Sequence, residues 1–326
     1  MATPPGEFEL IARYFTRPVP AGRGDIALAV GDDCALLDPV RGEQWAVSTD
    51  TLVESVHFLP SVDPAALGHK ALAVNLSDLA ACGAEPRCFF LALALPKVDE
   101  AWLAAFSGGM FALADAHRCV LAGGDTTRSP LGVVITVTVM GSVPRGQALL
   151  RSGARRGDDV WVSGTLGDAA LGLALSQGGT PAPADARAAV ERLERPQPQV
   201  RLGLALRGLA TAAIDVSDGL LGDLGHILER SGVGARVEWN RVPRSGEVRR
   251  QPDAEQRRLA LAAGDDYELL FTAPHARRCA VERAAAGAGV AVTRIGEVTS
   301  TGRLELVDAD GRAMDTAPHA FDHFRP

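Results

Sequence analysis

The stretch DPAALGHKALAVNLSDLAACGAEPRCFFLALALP, residues 63–96, decides the fold class. Apolar residues recur through it at helical spacing, with Asp63 and Pro64 as a start signal and Gly83 as a stop, so one long helix is expected. RCFFLALALP then loses that spacing and reads as a strand. Working outward, the alternation continues. IALAV, CALL and WAVST are short strands broken by Gly, Asp and Pro, DEAWLAAFSGGMFALADAHR is a helix, CVLAGGDTT is a strand running into a glycine turn, and GVVITVTVMGSV is a strand. The class is therefore α/β, or α+β.

The texture changes near VPRGQALLRSGARRGDDVWVSG, a polar, arginine-containing connection that leads into a new strand. A boundary is expected at about Val143 to Arg151, giving domains 1–145 and 146–326. The second half alternates in the same way, through helix GDAALGLALSQ, a Pro/Ala-rich linker around GGTPAPADA, helix PQVRLGLALRGLA, strand AAIDVS and helix DGLLGDLGHILERSG. No fixed period marks a solenoid.

With 326 residues, 47% of them hydrophobic, the chain can build two cores. A net charge of -7 and a pI near 5.5 argue against broad attraction to nucleic acid or an anionic membrane. No run of eighteen apolar residues and no secretion signal is seen, so a soluble cytoplasmic protein is expected. The five cysteines show no CxxC spacing, and buried free thiols are expected in place of disulfides or a zinc site.

The chemistry lies in six acidic turns: AVGDDCALL, AVSTDTLV, VNLSDLAAC, LAGGDTTRS, AIDVSDGLL and LAAGDDYELLF. Any one of them alone is ordinarily a turn or a helix cap. Six in one chain are harder to dismiss, because carboxylates facing a common crevice repel one another and are costly to desolvate without a cation. Asp78 is the most telling, an aspartate inside the best helical stretch and one turn from Asn75. Glycines beside the acids, Gly31, Gly123, Gly124 and Gly264, let backbone N–H groups approach phosphate oxygens. Hard oxygen ligands and glycine turns together point to a magnesium–nucleotide site.

A P-loop or a protein kinase needs a lysine in a defined setting, and neither Lys70 nor Lys97 has one. Positive charge for phosphate must come from magnesium and from arginines, with Arg128 and Arg151 the best placed.

The motifs GDDCALL, STDTLVESVHF, KALAVNLSDLAACGAEP, GGDTTRS, DVSDGL, GDDYELLF and FDHF occur in the order that resembles the thiamine-monophosphate kinase family, over essentially the whole chain. DVSDGL alone is also similar to the wider superfamily of aminoimidazole ribonucleotide synthetase and selenophosphate synthetase. The resemblance implies ATP-dependent phosphorylation of thiamine monophosphate to thiamine diphosphate, the last step in making that cofactor. It implies a two-domain fold like that of aminoimidazole ribonucleotide synthetase, with an N-terminal ATP/Mg-binding domain contributing strands to a barrel at a homodimer interface. The active site is implied to lie in the cleft between that domain and the C-terminal one.

Carried over by position, Asp33, Asp50, Asp78, Asp125 and Asp215 resemble magnesium ligands, with Ser48 and Thr49 adding oxygens and Asp218 holding a further ion. Gly124, Asp125, Arg151 and Ser217 would meet ATP. His57, Asp265 and Phe321 would meet thiamine monophosphate. No covalent nucleophile and no general base is implied. The chain departs from the family at Ala263 and Asp265, where GGEDYEL is usual, at Cys82, where AAMGA is usual, and at Glu54 and Ser55.

Overall fold

The computed structural model describes residues 6–31, 34–178 and 187–315. The chain divides into two units, Met1–Leu79 with Ala84–Gly146, and Ala80–Gly83 with Gln147–Pro326. Both are α/β.

The first unit opens with the short helix α1 (Glu7–Leu10), a π turn (Ile11–Phe15) and a ribbon of β1 (Ile26–Leu28) and β2 (Leu36–Leu37). Its body is β3 (Glu43–Val53), α2 (Pro64–Ala81), β4 (Glu85–Leu95), α3 (Glu100–Ala116), β5 (Val120–Arg128) and β6 (Val134–Pro144). The four long strands lie in the order β3-β6-β4-β5, and only β4–β5 is parallel. The turn after α2 passes through Gly83, whose φ of +62° is the left-handed conformation that glycine favours. α2 and α3 cross closely, since a Cβ at Gly68 would fall 2.0 Å from the Phe106 carbonyl oxygen.

Period-two alternation sorts this sheet into two faces. Leu52, Ile135, Val137, Leu91 and Leu93 are buried on a covered face, whereas Val47, Thr49 and Thr51 are exposed on an open one. α2 lies over the covered face, with Leu79 against Gly141.

The glycine turn expected in LAGGDTTRS is not a turn. β5 runs through it with a register skip between Phe89–Leu121 and Phe90–Gly123, a bulge that absorbs one extra residue. Gly124 is there because the neighbouring strand is so near: its φ is +153°, and a Cβ would fall 1.9 Å from the Leu91 carbonyl oxygen.

The second unit contains β7 (Asp158–Ser163), α4 (Asp168–Gln177), α5 (Arg187–Glu194), α6 (Val200–Ala205), β8 (Ala212–Asp215), α7 (Leu220–Ser231), β9 (Gly234–Glu238), α8 (Gly246–Arg249), α9 (Asp253–Ala262), β10 (Leu269–Pro274), α10 (Arg278–Ala288), β11 (Val292–Thr299) and β12 (Leu304–Val307). Its sheet order is β12-β9-β11-β7-β10-β8, parallel only between β12 and β9. Val160, Val162, Ile214, Leu224 and Ile227 fill the core between this sheet and α7. α6 is shorter than the apolar spacing of PQVRLGLALRGLA indicated.

The cysteines correct one expectation. Cys88 and Cys119 are buried and Cys82 half-buried, but Cys34 and Cys279 are exposed. Burial pushes the Cys88 thiol up to about 11. Among the described residues, no helix is long and apolar enough to cross a membrane.

Candidate functional site

In the first unit the structure brings Ser48, Asp50 and Asp78 together. Ser48 and Asp50 are two apart on β3 and so share the covered face. α2 delivers Asp78 to that face, where the Ser48 hydroxyl donates to its carboxylate. Burial, then the charge of Asp78, pushes the Asp50 carboxyl up to about 6, which is the response expected of two acids confined together. Asn75, one turn before Asp78, is fully buried and donates to the Ala71 carbonyl at 3.1 Å.

Three other residues of this unit are placed elsewhere. Thr49 points to the open face, where its hydroxyl meets that of Thr138 at 2.9 Å. Asp125 registers with Ala92 on the open face, and β5 and β3 are opposite edges of the sheet. His57 closes a tight loop in which its Nδ1 accepts the Val53 N–H at 3.0 Å, leaving the other ring nitrogen to carry the proton. The same loop explains Glu54, whose carboxylate accepts the Val133 N–H at 2.9 Å. Asp33 and Phe321 lie outside the described residues.

In the second unit, Asp215 ends β8 opposite Leu269, and Ser217 and Asp218 follow it. The loop after α9 runs alongside: Asp265 N–H donates to the Ser217 carbonyl at 2.8 Å, and Tyr267 N–H to that of Val216 at 2.9 Å. Gly264 makes this approach possible, since a Cβ there would lie 2.1 Å from the Ser217 oxygen. The Ala263 departure is tolerated because its φ is −89°, which needs no glycine. Arg151 is exposed, and its carbonyl accepts the Ser231 hydroxyl at 3.3 Å.

Sequence reasoning missed Asp223. One of its carboxylate oxygens accepts the N–H groups of Ser217, Asp218 and Gly219 at 3.1, 3.1 and 3.2 Å. Burial and the charge of Asp218 push it up to about 7, while the three amides pull the other way. These amides are therefore taken by the protein's own carboxylate. An acid in the first turn of a helix after a glycine was the available signal.

Magnesium fits the donor set on β3 and α2. Among the described residues no three acidic, imidazole or thiol side chains gather closely enough to hold a metal ion. Magnesium asks for less, because it keeps waters and takes one or two carboxylates together with phosphate oxygens. Asp50, Asp78 and the Ser48 hydroxyl supply hard oxygens of that kind.

Residues 31–143 match the family described as AIR synthase related protein, N-terminal domain, and residues 155–309 match its C-terminal domain. A thiamine-monophosphate kinase of Escherichia coli (strain K12) is 49% identical over 323 residues, covering 98% of each chain. The crystal structure of thiamine-monophosphate kinase from Stenotrophomonas maltophilia K279a superposes with a TM-score of 0.84 at 48% identity, covering 90% of this chain and 93% of that one. AaThiL complexed with AMPPCP and TMP superposes with a TM-score of 0.77 at 31% identity, covering 91% of this chain and 92% of that one.

Proposed function

This chain belongs to the thiamine-monophosphate kinase family, with the two-domain fold of AIR synthase related proteins, and from that premise we propose how it works. It phosphorylates thiamine monophosphate with ATP, passing the γ-phosphoryl group directly and in line to the acceptor's phosphate. The observation that carries the reading is the confined pair Asp50 and Asp78 with Ser48, in a chain whose relative AaThiL was solved with AMPPCP and TMP.

Two anions must meet in this reaction, so their mutual repulsion is the main obstacle. Bound magnesium supplies charge neutralisation of the phosphates. Asp50, Asp78 and Ser48 are proposed to hold one ion, and Asp33, Asp125, Asp215 and Asp218, with Thr49 adding an oxygen, to hold others. Gly124, Arg151 and Ser217 are proposed to meet ATP, and His57, Asp265 and Phe321 the acceptor. The acceptor phosphate is largely ionised at neutral pH, so no base is assigned.

Of the domains 1–145 and 146–326, the first is proposed to bind ATP and magnesium and to dimerise. The open face of its sheet, with Val47 58% exposed beside the Thr49–Thr138 and Thr51–Thr136 pairs, supports a homodimer contact there, where a second copy would complete a barrel. The cytoplasm, where ATP is abundant, is the proposed compartment.

Incubation with ATP and thiamine monophosphate, with and without magnesium, tests the reading. Thiamine diphosphate is expected only with magnesium. A phosphoenzyme trapped with labelled ATP alone would defeat direct transfer.

A further inference from the structure

The loop that carries Asp265 is held from beneath. Asp265 and Tyr267 have φ of +65° and +52°, a left-handed conformation that non-glycine residues keep only where their surroundings enforce it. The residues between and after them do the enforcing. Asp266 is buried and accepts the Gly167 N–H through both oxygens, at 2.9 and 3.1 Å. Glu268 is buried too. One of its oxygens receives the Ser163 hydroxyl and the other receives Arg192 Nη2 at 2.6 Å. Ser163 also takes the Leu269 N–H at 2.8 Å.

Arg192 is the cation whose charge is felt by Glu268, Asp266 and Asp168 alike, and it comes from α5, far away in sequence. Its neighbour Leu193 lines a cavity of about 340 Å³. Ala169, Ala170 and Leu173 of α4 form one wall and Ala262 of α9 another, and the charged residues among the described ones that line it are Asp265 and Arg258, the latter bonded to Glu255 at 2.7 Å. Shallow alanine walls with a carboxylate beside them suit a flat heteroaromatic ring bearing an amino group.

We propose that Arg192 is a positioning residue for the acceptor: by tying α5 to Glu268 it fixes both the width of this cavity and the left-handed loop that presents Asp265 to it, and the cavity receives the acceptor's ring system. This rests on the reading that Asp265 meets thiamine monophosphate.

The test measures KM for thiamine monophosphate and for ATP separately, with melting temperature, in wild type, Arg192→Met, Arg192→Lys and Ala174→Leu. Ala174 is exposed and lines the cavity away from the ion pair. Arg192→Met is expected to raise the KM for thiamine monophosphate about tenfold while the KM for ATP stays within about twofold, and Arg192→Lys to restore most of the difference. Ala174→Leu is expected to raise the same KM with the melting temperature unchanged. Wild-type constants in Arg192→Met, or equal rises in both KM values, would overturn the proposal. If Arg192→Met does not fold, an unchanged KM for thiamine monophosphate in Ala174→Leu overturns it alone. An active wild type with unaffected variants sinks only this inference, whereas a wild type that forms no thiamine diphosphate sinks it together with the function it rests on.

Discussion

Two confined acids, one in each unit, are treated in opposite ways. In the second, Asp159 receives Arg278 through two bonds of 2.6 Å and Arg294 at 3.4 Å. Burial opposes its charge, but the two arginines hold its carboxyl below the usual range. Glu268 likewise has Arg192. In the first unit, Asp50 faces Asp78, and among the described residues no cation counts among the causes of its raised value. An acid neutralised from within the chain holds structure together. An acid pushed upward by burial and then by a neighbouring acid, with no amide or cation set against either, is poised for a cation from outside.

Asp78→Asn should break that contrast most severely. Turnover is expected to fall by about a thousandfold while the melting temperature holds or rises, because a carboxylate acting on a metal has been lost along with its repulsion of Asp50. Steady-state rates beside a thermal melt check this, and full activity at ordinary magnesium would count against the site. Gly264→Ala strikes the second unit. The new Cβ meets the Ser217 oxygen at 2.1 Å in a left-handed backbone, so a loss of about 3 kcal/mol in denaturant unfolding is expected. Asp159→Ala should cost about 2 kcal/mol by leaving its arginines without a partner, with both KM values unchanged.

A smaller effect sharpens the comparison through pH. The Asp50 carboxyl stands at about 6 in the folded chain, above its unfolded value near 4, so the native state binds the extra proton. Its contribution to metal-free stability is therefore greatest below about pH 4 and is lost as pH rises to about 6, roughly 3 kcal/mol in all. Asp50→Asn should remove that slope, as read by denaturant melts across the range. Magnesium should flatten it as well.

Much of this was legible in the sequence, and the parts that were not share a physical reason. Helical spacing and end signals located α2 and β4, since a long apolar stripe has few other solutions. Period two also places Ser48 and Asp50 on one face of β3 and Thr49 on the other. The resemblance alone grouped all three. Gly123–Gly124 reads as a turn because pattern cannot show that Leu91 presses on Gly124 from the next strand. Arg192 and Glu268 were invisible for a similar reason. Each acts through a partner that only the tertiary fold supplies, and locally each is an ordinary polar residue of a helix or turn.

The cation-binding role of the Asp50–Asp78 pair can be decided by the melting temperature of the full chain with and without Mg-ATP, in wild type and in Asp78→Asn. Ligand that binds only the native state raises stability by about 3 kcal/mol at a hundredfold excess over Kd. A rise of several degrees in wild type that is absent in Asp78→Asn is the predicted result. An unmoved wild type, or an equal rise in both, would contradict it.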